Sequence, residues 1–352
     1  MNKWRQEMTS KERMQAYFAG EAVDRLPFFL FLGDTAGPYF GVKIRDYYWD
    51  PETMVEVECQ VLRTFGNDNT DIVVGLRGVA EALGSQIGYP ENGIHYLQKP
   101  VLQSYDQLET LRLPDPYRDG RLPLLLRAMA LFQKRMGREI DIGIDIGGPI
   151  TAAGAVRGND RLLKDFCKDP AHAHQLLQFV TDCTLHVIQV FYQEFGVVPG
   201  IADPMASASV LSPKLFREFA WPYLQQYAQG IQKITGAAAS LHICGQTKPL
   251  WPEIARLDFA TFSVDNVEDI GEAAAALGQE KCIVGNLDPI QVVRNGTSQQ
   301  VQAAAAQCYQ KASKSPKGFI LAPGCQLPID CPVENFAAMR EAATEAARGF
   351  LV

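Results

Sequence analysis

Eight short apolar runs recur along the chain, each followed by a longer stretch of helical character. They are "RLPFFLFLG" (25–33), "TDIVVGL" (70–76), "EIDIGIDIGG" (139–148), "VVPGIADP" (197–204), "AAASLHICG" (237–245), "DFATFSVD" (258–265), "KCIVGNLDP" (281–289) and "GFILAPG" (318–324). Most are continuous rather than alternating, which suits strands buried on both faces. Between them lie amphipathic stretches such as 161–195 and 212–235. Eight strands alternating with helices predict an α/β fold, a closed (β/α)8 TIM barrel. The alternative is a doubly wound open sheet. That fold places a Gly-rich phosphate loop after its first strand, and "FLGDTAGPYFG" fits its spacing poorly.

Barrels outgrow the usual rule of about 150 residues per domain. All 352 residues are therefore read as a single barrel domain, 1–352, and a hydrophobic content of 47% supplies its core. An N-terminal helical segment covers 1–20, with a helix over 8–20 capped by Thr9 or Ser10 and with Glu12 in its first turn. Residues 77–118 break the alternation. They are rich in Gly, Pro and Asn and predict an insertion after strand 2: a hairpin over the barrel mouth and a short helix, serving as lid or docking surface.

The net charge of −7 is spread without long runs of one sign. A nucleic-acid partner would call for a concentrated basic face, so none is expected. No apolar run reaches the ~18 residues of a membrane span, and the polar N-terminus lacks a signal-peptide core. A cytoplasmic protein is expected. Its eight cysteines are too sparse for a disulfide framework.

Active sites of such barrels lie at the C-terminal ends of the strands. There the sequence places Asp34, Asp145 with Gly147, Gly148 and Pro149, Asp203, His242 with Cys244, Asp265 with Asn266, Asn286 with Asp288, and Cys325. His242 and Cys244 are two apart, so on a strand both point the same way. An imidazole beside a thiol suits a Cys–His nucleophilic pair or a zinc site. Cys244 as a small core residue is the plain alternative. Barrel closure can bring Cys325 to the same mouth, and three ligands leave a fourth position open, as catalytic zinc sites do. Asp34 and Asp203 are candidate catalytic residues; capping a helix or ordering a loop is their other reading. Cys59, Cys167, Cys183 and Cys308 fall on helices, Cys282 begins a strand, and Cys331 is a weaker ligand candidate. His172, His174 and His186 lie on the helical stretch after strand 3 and are read as surface or packing residues. His95 lies in the insertion, where it could face substrate, with nothing specific to mark it.

"IADPMASASVLSPKLFREFAWPY", "LHICGQTKPL", "IVGNLDPIQVVRNGT" and "GFILAPGCQLPIDCPVENFAAM" together resemble the uroporphyrinogen decarboxylase superfamily, and within it the methylcobamide:coenzyme M methyltransferase branch. "EALGSQIGYPENG" and "LPDPYRDGRLPLLLRAM" extend the resemblance over nearly the whole chain. It implies Zn2+ bound by His242, Cys244 and Cys325. It also implies methyl transfer between a methylcorrinoid, the co-substrate, and a small thiol or other acceptor or donor. The corrinoid would arrive on a small corrinoid-binding protein that docks transiently. Two alternatives remain: a tetrapyrrole decarboxylase, and a non-catalytic corrinoid- or metal-binding protein. The decarboxylases carry an Arg-rich motif after strand 1, where this chain reads "GDTAGPYFG", and an Asp at the end of strand 2, where it reads "IVVGLRG". "APGCQLP" replaces their later His motif. Near the mouth the chain offers only scattered cations such as Arg77, Arg157 and Lys248.

Overall fold

The computed structural model describes residues 7–70 and 72–349. Residues 1–6 of the expected N-terminal segment, Asp71 of the second apolar run and residues 350–352 lie outside the described residues. The insertion contains an antiparallel hairpin, β1 (Gln86–Gly88) and β2 (Tyr96–Lys99), preceded by a helix at Gly78–Ala82. The central sheet is parallel and runs in chain order: β3 (Ile144–Gly147), β4 (Pro199–Ala202), β5 (Ser240–His242), β6 (Thr261–Ser263), β7 (Cys282–Leu287) and β8 (Phe319–Pro323). A helix follows each strand, as the alternation in the sequence predicts.

The first two barrel positions differ from expectation. They are extended segments rather than regular strands, each joined to the sheet by an isolated bridge, Phe28 to Leu321 and Gly75 to Ile146. Phe29 N–H donates to Leu321 O at 2.9 Å, and Gly75 N–H donates to Asp145 O at 3.0 Å. The two segments are tied together partly by a side chain. Asn69 Oδ1 accepts from Leu30 N–H at 2.8 Å, and Asn69 Nδ2 donates to Leu30 O at 3.0 Å. A side-chain amide thus pairs both backbone groups of Leu30 in place of a backbone ladder. The barrel is closed all the same.

Outward side chains of the strands, Ile144, Ile146, Ile201, Leu241, Phe262 and Ile283, are fully buried against the helices. Burial of each such side chain contributes roughly 1.5–3 kcal/mol. The lumen is different. Its lower part is filled by Cys282, Val284, Ile320 and Ala322 with Phe29 and Phe31. The helix Ser10–Phe18 closes that end, with Met14 and Tyr17 packed on the cluster. Thr9 caps this helix in a capping box with Glu12. Tyr17 O–H donates to Phe319 O at 2.7 Å and accepts from Phe319 N–H at 2.8 Å. On the β3–β6 side the lumen wall carries Gly147, Gly200, Ser240 and Thr261 instead of bulky branched residues. No helix among the described residues is long and apolar enough to cross a membrane.

Candidate metal centre

His242 ends β5, and Cys244 lies two residues on, on the same side of the chain. Cys325 lies two residues beyond β8. His242 Nε2 is 3.0 Å from Cys244 Sγ, and Cys244 Sγ is 3.7 Å from Cys325 Sγ. All three donor atoms lie within 4.8 Å of one another. Gly324 permits this approach: a Cβ there would stand 2.2 Å from Asn266 N, so only glycine lets the chain before Cys325 run so close to the loop after β6.

The imidazole is oriented from behind. His242 Nδ1 lies 3.1 Å from Ser263 Oγ and 3.3 Å from the Ser263 carbonyl. A proton on Nδ1 is held there, which leaves Nε2 free to face the sulfurs, the tautomer a metal ligand needs. Asp265 fixes the loop after Cys244 by accepting from Gly245 N–H at 2.7 Å. The hydrogen bond from Cys244 lowers the Cys325 thiol well below the ordinary range; burial opposes this and His242 assists it. Cys244 is pushed upward by the same hydrogen bond and by burial. Burial disfavours the charged imidazole, but the hydrogen bond and charge of Cys325 outweigh it and raise His242. Of the two thiols, Cys325 is thus the one that ionises more readily.

This donor set fits zinc. Two sulfurs on one tetrahedral Zn2+ with bonds near 2.3 Å lie about 3.8 Å apart, close to the separation seen here. An imidazole nitrogen already aimed at the pair completes three ligands.

Asp34 lies beside this centre. It accepts hydrogen bonds from Tyr48 O–H and from Nε2 of Gln326, the residue after Cys325. His95 Nδ1 is 2.6 Å from Tyr48 Oη and 3.8 Å from Asp34. The insertion therefore reaches the mouth through His95, which no motif marks in the sequence. Tyr48 and Gln326 were also missed; for Gln326 the signal was its adjacency to Cys325. Arg77, half-buried at the end of the second barrel position, donates to His95 O at 3.3 Å.

Asp203 is placed differently. It is fully buried, and its oxygens accept from Ile150 N–H (3.1 Å), Thr151 N–H (2.8 Å) and Thr151 Oγ1–H (2.6 Å). It caps the helix Pro149–Arg157, whose own cap position is Gly148 and has no side chain to offer. Burial pushes its carboxyl up to about 6. Asp288 caps the segment Pro289–Arg294 in the same manner. Cys59, Cys183, Cys282, Cys308 and Cys331 are buried and Cys167 is exposed; none joins the cluster formed by His242, Cys244 and Cys325. His172 stacks on Tyr105, and His174 stacks on Phe219.

The chain is 25% identical to a methylated-thiol–coenzyme M methyltransferase of Methanosarcina mazei, across 96% of this chain and 90% of that one. It is 25% identical to a methylcobamide:CoM methyltransferase of Methanosarcina barkeri, across 96% and 98% respectively. The solved structure of a methyltransferase from Methanosarcina mazei superposes with a TM-score of 0.84 at 24% identity, covering 97% of this chain and 99% of that one, which shows the shared fold. Both the barrel and the motifs at its mouth lie within residues 9–346, the span matched by the family model for uroporphyrinogen decarboxylase (URO-D), and the chain belongs to that family.

Proposed function

We propose that the chain is a zinc- and corrinoid-dependent methyltransferase. It moves a methyl group between a methylcorrinoid on a separate small protein and a small thiol or other acceptor or donor. The carrying observation is the convergence of His242 Nε2, Cys244 Sγ and Cys325 Sγ at an open barrel mouth. Relatives that act on methylated thiols, methylcobamide and coenzyme M support the reaction class. Location in the cytoplasm belongs to the same reading, since a reducing compartment keeps the thiols free for metal.

His242, Cys244 and Cys325 would hold the metal. Zinc there would supply a soft Lewis acid that favours the thiolate form of a substrate thiol or polarises the heteroatom of a methyl donor. In the thiol-methylating direction the substrate sulfur forms a bond to the methyl carbon. The cobalt–carbon bond breaks heterolytically and leaves both electrons on cobalt as cob(I). The thiol proton passes to Asp34 or to solvent. Ser263 keeps the His242 ring in register, and Asp34 steadies the Cys325 loop through Gln326. Asp203 acts by position, holding the helix that follows β3 beneath the site.

The corrin face has to approach the mouth closely, within about 3–3.5 Å of the reacting sulfur. Exposed apolar side chains on that side, Trp49, Ile94, Tyr96, Val210, Val267 and Ile290, support docking of a carrier protein on this rim. The test is methyl transfer from methylcobalamin to small thiols, followed by the absorbance of cob(I)alamin, alongside metal analysis of protein purified without added zinc. Zinc-containing protein that transfers no methyl group to or from any small molecule would leave only a binding role.

A further inference from the structure

We propose that Asp145 anchors the ammonium-bearing tail of the small substrate inside the barrel lumen, below the His242 level. This rests on the reading above, which places the substrate sulfur at His242, Cys244 and Cys325. Asp145 pairs with Gly200 and Gly200 with Ser240 in one row of the sheet, while Gly147, Ala202 and His242 form the inward row above. Two residues of strand separate the rows, about 6.6 Å.

The Asp145 side chain lies across Gly200: its Oδ1 is 1.8 Å from where a Cβ on Gly200 would stand. Among the described residues its carboxylate accepts no hydrogen bond and joins no ion pair. Burial disfavours its charged form and raises its pKa, and the one charge opposing this is His242. The carboxylate is only partly buried and opens onto the lumen, so it is available to pair with a cationic group of a ligand. The surrounding wall is polar and small, with Ser240 and Thr261 both partly exposed to the lumen. Space remains for a ligand between this row and the metal centre.

A thiol at the top and an ammonium at Asp145 define a short aminothiol or its methylated form. An anionic tail reaching down would meet an uncompensated carboxylate instead. Arg77 does not alter this. It lies two residues beyond Gly75, which pairs with Ile146, and donates to His95 O, so it belongs to the mouth and not to the row of Asp145.

The experiment is calorimetric titration of the zinc-loaded full chain at neutral pH with aminoethanethiol, mercaptoethanol and mercaptoethanesulfonate. These share one thiol and one spacer and differ in tail charge. The amine is expected to bind about 10-fold more tightly than the neutral thiol, with the sulfonate weakest. Asp145→Asn should erase the amine's advantage while leaving mercaptoethanol affinity within about 3-fold; this ratio cancels differences in thiol acidity. Gly200→Ala keeps the charge but claims the space of Oδ1, and should weaken the amine selectively. A sulfonate that binds as well as the amine, or an unchanged ranking in Asp145→Asn, overturns the proposal. Should no thiol bind, and Cys244→Ser behave like wild type, the sulfur site itself fails and the anchor falls with it. Retained mercaptoethanol binding without amine preference sinks the anchor alone.

Discussion

Cys244 Sγ and Cys325 Sγ stand 3.7 Å apart although 81 residues of chain separate them. Only closure of the barrel brings β5 and β8 to one mouth, so this contact depends on the whole fold. Both thiols are expected to be needed for metal. Protein purified without added zinc should carry it close to stoichiometrically. Cys244→Ser and Cys325→Ala should each lose most of it on dialysis, read by elemental analysis. Ser263→Ala, which removes the hydroxyl behind His242, should weaken zinc by roughly 10–100-fold without abolishing binding. Full zinc retention in both cysteine variants would refute the ligand set.

Asp34 touches Tyr48 and Gln326 rather than any predicted ligand. Asp34→Ala is expected to slow methyl transfer by about 100-fold, the lower end of what acid–base groups contribute. Zinc content should stay intact, because Cys325 keeps its own place beyond Gly324. Single-turnover rates with methylcobalamin, set against metal content, separate this from a ligand defect. A rate unchanged within about 2-fold would assign Asp34 to the fold.

The barrel was legible because its strands are continuous apolar runs and its helices amphipathic. His242 and Cys244 were legible because a spacing of two has a direct geometric meaning on a strand. Other features depend on tertiary contacts that no local pattern encodes. The sequence gives no sign that Asn69 replaces a ladder between the first two barrel positions. Nor does it show that Asp203 spends its oxygens on a helix from a neighbouring unit, since a strand-end aspartate reads the same in either role. His95 and Tyr48 meet Asp34 only after the insertion folds back over the mouth.

The opposite end of the barrel is held by charge. Arg13 Nη1 and Arg25 Nη1 pair with Asp68 at 2.7 and 2.5 Å, and Arg13 also pairs with Asp24. Asp68 is buried, and its removal leaves the buried Arg25 guanidinium without an ion-pair partner and Arg13 with Asp24 alone. Asp68→Ala should cost about 3–5 kcal/mol in denaturant unfolding. Asp24 adds a pH signature. Burial opposes its ionisation most, but Arg13 and the N–H groups of Met8 and Arg25 outweigh this and lower its carboxyl. Its stabilisation is therefore fully present above the unfolded value of about 3.9 and is lost as pH falls through the lower folded value. The stability gap between wild type and Asp24→Asn should be constant near neutral pH and shrink below about pH 4. A gap that grows on acidification would contradict the pairing.

Family membership raises decarboxylation of uroporphyrinogen as an alternative, and it is expected to be absent. A substrate with many carboxylates needs several cations, best supplied by arginine. Arg157 is paired with Asp165 at 2.8 Å, and Lys248 with Glu272 at 2.5 Å. Of Arg77, Arg157 and Lys248, only Arg77 has no ion-pair partner among the described residues. Incubation with uroporphyrinogen and chromatography of the oxidised products should show no change beyond a no-enzyme control; sustained turnover would reverse this conclusion.

The rim makes the last prediction. Val210, Val267 and Ile290 follow β4, β6 and β7, while Ile94 and Tyr96 project from the hairpin insertion; all are exposed on the side of the metal centre. None of them touches the ligand residues through a hydrogen bond or ion pair, so changing them need not disturb zinc. Ile94→Glu combined with Val267→Glu places charge where an apolar carrier face would pack. Transfer from a protein-bound methylcorrinoid should then fall by about 10-fold or more, since central apolar contacts dominate such interfaces. Transfer from free methylcobalamin, which needs only the open mouth, should stay within about 2-fold. The ratio of the two rates is the measurement, because it cancels any general loss of active protein. Equal falls would mean that these residues serve the fold or the small substrate, and an unchanged ratio would place the carrier on another face.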